Sequence, residues 1–180
     1  DAPIREQFYK EIDFMHRKWP DVQKYLVYFQ NFTNTHEKVE VIRERYEQAI
    51  NEPGVVGINI GTRPDCLPDE TIEYLAELSE RMHVTVELGL QTTYETTSDL
   101  INRAHSYELY VETVKRLRKY PKIEIVSHFL HTYSFLRSSH LVFLRGVFIF
   151  SSTNTIGWVF DNHPPARLVL STFLVSESFW

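Results

Sequence analysis

A glutamate stands inside an apolar stretch, Val84-Thr-Val-Glu-Leu-Gly-Leu90, flanked by Val86 and Leu88. A carboxylate in such a place is costly unless another group pairs with it. Glu87 is therefore the first candidate for holding a cationic or hydrogen-bonding ligand group. The competing readings are an edge position facing solvent and an ion pair to Arg63 from a neighbouring strand end. Arg63 and Asp65 lie in Gly61-Thr-Arg-Pro-Asp65, directly after another apolar run. Gly61 permits close backbone approach and Pro64 fixes the turn, so both charges project over the end of the sheet or pair with each other.

The remaining polar candidates also follow apolar runs. Gln91, reached through Gly89, is placed to hydrogen-bond a ribose or carboxylate, or to cap the following loop. Gln30 with Thr33, Asn34 and Thr35 forms a polar cradle or an Asx-type turn. His128 ends a strand but is alone. His105 sits in a helix–helix connection, where exposure to solvent is expected. Cys66 is the single cysteine of the 180 residues, which leaves no zinc site or internal disulfide and suits a reducing, cytoplasmic compartment. No phosphate-binding glycine loop, nucleophile elbow or zinc spacing occurs.

The elements that position these residues repeat along the chain. Apolar runs at Tyr25–Gln30, Val55–Ile60, Val84–Leu90 and Ile123–His128 start about thirty residues apart with helical patterns between them, as consecutive βα units require. The first helix is read over Asp1–Trp19, with Ile4, Phe8, Ile12 and Met15 on one face. Val39, Ile42, Tyr46 and Ile50 mark the second, and Ile72, Leu75, Leu78 and Met82 the third, which starts at Pro68-Asp-Glu70. A short helix around Leu100 precedes a longer one over Tyr107–Lys119 with Tyr110, Val114 and Leu117 inward. Alternation of this kind gives an α/β parallel sheet with right-handed crossovers. Open doubly wound and barrel forms share the pattern, and polar groups on successive strand ends tip it toward an incomplete barrel.

Composition bounds the rest. The formal charge of −5 and the lack of a basic tract argue against dedicated duplex nucleic-acid binding, while nucleic acid stays open as a substrate. Composition changes abruptly after His128. Residues 1–128 hold 16 basic and 22 acidic residues, whereas 129–180 hold only Arg137, Arg145, Asp161, Arg167 and Glu177. That lysine-free, Phe/Ser-rich tail reads as a shifted frame, a fusion or a poorly assigned region, against a strand pair covering one sheet edge. Its run Leu141–Phe150 is too short for a bilayer span, so no membrane segment is expected. A start at Asp1 rather than Met, with no signal peptide, reads as a boundary or processing point. The domain reading is 1–128 as barrel and 129–180 as atypical tail.

Taken in order, Gly61-Thr-Arg-Pro-Asp65, Glu87-Leu-Gly-Leu-Gln-Thr92 and Asn102-Arg-Ala-His105 resemble the core of a radical S-adenosylmethionine (SAM) protein. Tyr28-Phe-Gln30 with Thr33-Asn-Thr35 resembles the bacterial YhcC/YtqA-like branch, to which the Elongator catalytic subunit and oxygen-independent coproporphyrinogen oxidases are more distantly related. The resemblance covers about residues 1–128. It implies an incomplete (β/α)6 TIM-barrel-like sheet, a [4Fe–4S] cluster and SAM, cleaved reductively to a 5′-deoxyadenosyl radical. It also implies that Glu87 and Gln91 line the SAM pocket, with Gln30 and Arg63 around it.

Two departures qualify this expectation. The family's Cys-x3-Cys-x2-Cys loop, which supplies three thiolates to the cluster, is absent from the sequence. After His128 the family continues into a Gly-Leu-Pro-Gly-Glu-Thr-like turn, and this chain diverges at Phe129. The resulting expectation is a fragment of a radical SAM enzyme that assembles no cluster, with uncovered edges promoting self-association. The alternative is a non-catalytic module that binds a small polar or nucleoside-like ligand.

Overall fold

The computed structural model describes residues 3–30, 33–132, 145–151 and 156–159. Its elements run α1 (Ile4–His16), β1 (Tyr25–Phe29), α2 (Val39–Ile50), β2 (Val55–Thr62), α3 (Asp69–Ser79), β3 (His83–Gln91), α4 (Glu95–Leu100), α5 (Tyr107–Leu117), β4 (Ile123–Thr132), β5 (Arg145–Ser151) and β6 (Ile156–Val159). The strands form one sheet in the order β1-β2-β3-β4-β5-β6. The first four are parallel, and β5 and β6 add on antiparallel beyond β4.

Strand order follows chain order through β4, so successive crossovers never reverse direction. Right-handed crossovers that proceed one way put their helices on one face of the sheet. The core agrees: Val27, Phe29, Ile58, Ile60, Val84, Val86, Leu88 and Ile123 cluster with Ile42, Tyr46, Ile72, Leu75, Leu78, Tyr110 and Leu117 from the helices. The architecture is α/β, an incomplete TIM-barrel-like parallel sheet with outer helices, and not a doubly wound one.

Local chemistry sets the element ends. Pro68 precedes α3 in extended conformation, and Asp69 and Glu70 occupy its positive first turn. Ser106 caps α5 by accepting from Leu109 N–H at 3.1 Å. The first helix ends at His16, short of Trp19, and His16 Nε2 meets Val22 O (3.0 Å) and the Tyr25 hydroxyl (2.8 Å), which dock the helix end onto β1. Asp1 and Ala2, at the start of the expected helix, and Asn31 and Phe32 lie outside the described residues. So do 133–144, 152–155 and 160–180, on which most of the tail reading falls. β4 continues past His128 to Thr132. Among the described residues no helix is long and apolar enough to cross a membrane.

Candidate functional site

Parallel register fixes which side chains share a face. Tyr28, Asn59, Thr85 and Glu124 are aligned across β1 to β4, and one layer toward the strand ends come Gly61, Glu87 and Val126, then Gly89 and His128. These alternate with the residues that meet the helices, so they lie on the inner face. There the sequence places polar groups and glycines where the opposite face has aliphatics.

Glu87 is the centre of this layer and only 5% exposed. Its Oε2 accepts a hydrogen bond from the Tyr28 hydroxyl, two strands away. His128 Nε2 lies 2.8 Å from the same oxygen, at ion-pair distance but without hydrogen-bond alignment. Burial, followed by the Glu87 charge and hydrogen bond, pushes the Tyr28 phenol well above its ordinary pKa, so it stays a donor. Gly61 stands beside Glu87 in register, and a methyl group there would meet only main-chain atoms of Phe29 and Gln30 at 3.4 Å or more. An added Cβ at Gly89 would lie 2.7 Å from Gln91 Nε2, so the Gln91 amide folds back over Gly89. In the layer beneath, Asn59 is 3% exposed and its Oδ1 has no hydrogen-bond partner among the described residues.

The structure puts Glu87 on the inner face, lays the Gln91 amide over Gly89 in the layer beyond it, and leaves Arg63 at the rim. Arg63 pairs with Asp65, Nε to Oδ1 at 3.0 Å and Nη2 to Oδ2, so Glu87 finds Tyr28 and His128 and not Arg63. Burial alone would raise the Asp65 pKa, but the Arg63 hydrogen bonds and charge outweigh it and hold the carboxyl below its usual range. Gln30 is half-buried just past β1. Beyond it, Asn34 Nδ2 donates to Phe29 O (2.7 Å) and Gly61 O (3.2 Å), while the Thr35 hydroxyl bonds Thr62 Oγ1 and Cys66 O. Asn34 therefore stitches the ends of β1 and β2, Thr35 ties the end of β2 to the loop after it, and neither is offered as a cradle.

One expectation is overturned. His105 is not exposed: it is 7% accessible, with Nδ1 at 3.8 Å from Asp65 Oδ1. The chain turns it inward because Asn102 adopts φ 52° and Arg103 Nε donates to His105 O at 2.8 Å. Burial lowers its pKa first, the Arg103 charge adds to this, and Asp65 opposes it.

Tyr28, Asn59 and Arg103 were not singled out as site residues from sequence. Asn59 carried a readable signal, since it stands two residues before Gly61 and so on the same face. Tyr28 stood only within the Tyr28-Phe-Gln30 stretch, and its place beside Glu87 needs the register.

A family model described as the radical SAM superfamily matches residues 3–134. The chain belongs to this superfamily. It is 54% identical over 125 residues to the uncharacterized protein YtqA of Bacillus subtilis (strain 168), covering 69% of this chain and 38% of that one. It is 36% identical over 128 residues to protein YhcC of Escherichia coli (strain K12), covering 71% and 40%. An uncharacterized protein, MJ0486, of Methanocaldococcus jannaschii is 31% identical over 118 residues, covering 65% and 36%. The chain thus spans about two-fifths of the length of these relatives. No solved structure matches.

Membership of the radical SAM superfamily implies SAM and a [4Fe–4S] cluster in complete proteins, and the residues present treat the two differently. A buried carboxylate, an amide over a glycine and an orphaned Asn59 Oδ1 suit a ligand rich in ammonium and hydroxyl donors. The cluster does not fit. Cys66 is the only cysteine in the sequence, and burial together with Asp65 pushes its thiol pKa up, away from the thiolate a cluster needs. Among the described residues no group of three or more His, Cys, Asp or Glu is arranged to hold a metal ion.

Proposed function

We propose that this chain carries the SAM-binding face of a radical SAM enzyme and is a fragment that assembles no cluster by itself. The observation that carries the reading is Glu87, an acid buried near the strand ends with Gly61 beside it in the same layer and Gly89 in the layer beyond. Glu87 accepts from an ammonium or hydroxyl donor of the cofactor, and Gln91 offers its amide alongside. Gln30 and Arg63 close the pocket from the rim, where Arg63 faces a carboxylate or a ribose edge. Tyr28 keeps the Glu87 carboxylate oriented by donating to it. In a complete protein the cluster and SAM together supply hydrogen-abstracting radical chemistry, and the residues here bind and orient the cofactor.

On this reading the barrel part ends at about residue 128 and the tail is foreign to the family. The protein is cytoplasmic, and the outer edge of β1, which pairs with no further strand among the described residues, favours self-association. The test is calorimetric titration of SAM into the iron-free chain. A micromolar Kd that weakens at least about tenfold in Glu87→Gln supports the reading. No heat at millimolar SAM from a folded chain defeats it. Reconstitution with iron and sulfide is expected to give no iron–sulfur absorbance, and a stoichiometric cluster would refute the fragment reading.

A further inference from the structure

Gln91 and Asn102 are the non-glycine residues with left-handed backbone among those described, at φ 66° and 52°. One side chain connects them. Arg103 follows Asn102, and its side chain is 2% exposed. Its Nη1 donates to Leu90 O (3.3 Å) and to Thr92 O, the carbonyls on either side of Gln91. Its Nε donates to His105 O, and Nη2 lies 3.5 Å from Glu95 Oε1. Between the two carbonyls, Thr92 N–H donates to Leu90 O at 2.8 Å and closes a three-residue turn on Gln91. With positive φ at its centre this is the rarer, strained form of γ-turn.

The turn has a consequence for the inner face. Register against β4 slips between Gly89 and Gln91, so Leu90 is passed over and Gln91 resumes the pairing, aligned with Phe129, only after a bulge. Its side chain folds back, with the amide nitrogen above Gly89. A glutamine there would relax to an extended backbone unless its neighbours fixed the turn. The guanidinium does this, because Nη1 engages the carbonyls on both sides at once while Nε and Nη2 anchor the group to His105 O and Glu95, four contacts that the three donors of a lysine ammonium do not match.

We propose that Arg103 is a positioning residue that locks the Gln91 turn and so lays the Gln91 amide over Gly89, next to Glu87. The contribution to affinity rests on the reading that this face binds SAM; the positional claim does not. The experiment has two arms. In the first, SAM is titrated into the wild-type chain, Arg103→Lys, Gln91→Ala and the double variant. Each single change is expected to weaken binding about tenfold, and the double change no more than either alone, because both remove the same contact. A product near a hundredfold would show Arg103 acting independently of Gln91 and overturn the proposal. Gly89→Ala, whose methyl displaces the amide while Arg103 is intact, is expected to match Gln91→Ala; unchanged affinity there also overturns it.

The second arm needs no ligand. The Gln91 side-chain amide resonances are compared by NMR in the wild-type chain and in Arg103→Lys, with Arg103→Gln as a second variant should lysine unfold the chain. Both substitutions are expected to collapse the dispersed Gln91 signal toward its random-coil position. A signal that stays in place in a folded variant overturns the proposal. If wild-type chain shows no SAM affinity, the proposed function fails and this arm alone decides the role of Arg103.

Discussion

The hydroxyl of Tyr28 donates to the Glu87 carboxylate across an intervening strand, joining residues 59 apart in the chain. Gly61, beside Glu87 on the strand between them, carries no side chain to block that path. The contact offsets the cost of a buried charge and leaves the carboxylate oriented along the inner face.

Tyr28→Phe tests that pairing. It removes a donor from a buried carboxylate and is expected to cost about 2 kcal/mol in urea unfolding. Adding Glu87→Gln to the same chain is expected to recover part of the loss, because the uncompensated charge disappears. A loss below about 0.5 kcal/mol, or strict additivity, would mean that His128 alone compensates Glu87.

His105 makes stability depend on pH. Its folded-state pKa is depressed below the ordinary value of 6.5, mainly by burial. The unfolded chain then takes up the proton first, so stability is full above about pH 6.5 and falls as pH drops through the window beneath it. Asp65 titrates lower still, because its own pKa is held down. Unfolding free energies measured from pH 7.5 to 5 are expected to fall more steeply for wild-type chain than for His105→Gln. Parallel curves would show that the imidazole is solvated.

Element types were legible because apolar periodicity changes from alternate or continuous runs to three-and-four spacing, and because Pro68 and Pro121 punctuate it. Glu87 stood out for the same reason, as an acid among valines and leucines. Its partners were not legible: they depend on register, which aligns Gly61 with Glu87 and Gly89 with His128 only once the strands pair. Arg63 has charged candidates both two residues away and on the next strand, and only geometry selects Asp65. His105 was misjudged because a helix connection normally faces water. Its burial follows from the left-handed Asn102 and from Arg103, neither of which leaves a periodic trace.

Two glycines separate packing from function. A Cβ at Gly57 would lie 2.7 Å from His83 O on the paired strand, so Gly57→Ala forces the backbone apart and is expected to cost about 2 kcal/mol. A Cβ at Gly61 would meet nothing closer than 3.4 Å, so Gly61→Ala is expected to leave stability within about 1 kcal/mol. It nevertheless fills the space beside Glu87, and SAM affinity is expected to fall at least about tenfold. Thermal melts and calorimetry on both variants check this. Gly61→Ala with unaltered affinity would remove that space from the ligand site.

Arg63 and Asp65 form a partly exposed pair, 43% and 25% accessible at their side chains, and such pairs contribute little stability. Arg63→Ala is expected to change unfolding free energy by less than about 1 kcal/mol. If the guanidinium also meets the cofactor at the rim, Arg63→Ala weakens SAM binding, and Asp65→Asn preserves or tightens it by releasing the guanidinium from its partner. That affinity is also expected to weaken with added salt in the wild-type chain and to lose most of its salt dependence in Arg63→Ala. A pair that serves only the loop predicts the contrary pattern, in which neither variant alters affinity and salt acts on both alike. The difference between Arg63→Ala and Asp65→Asn therefore separates a rim contact from a loop clasp, because both substitutions break the same pair and only one removes the cation.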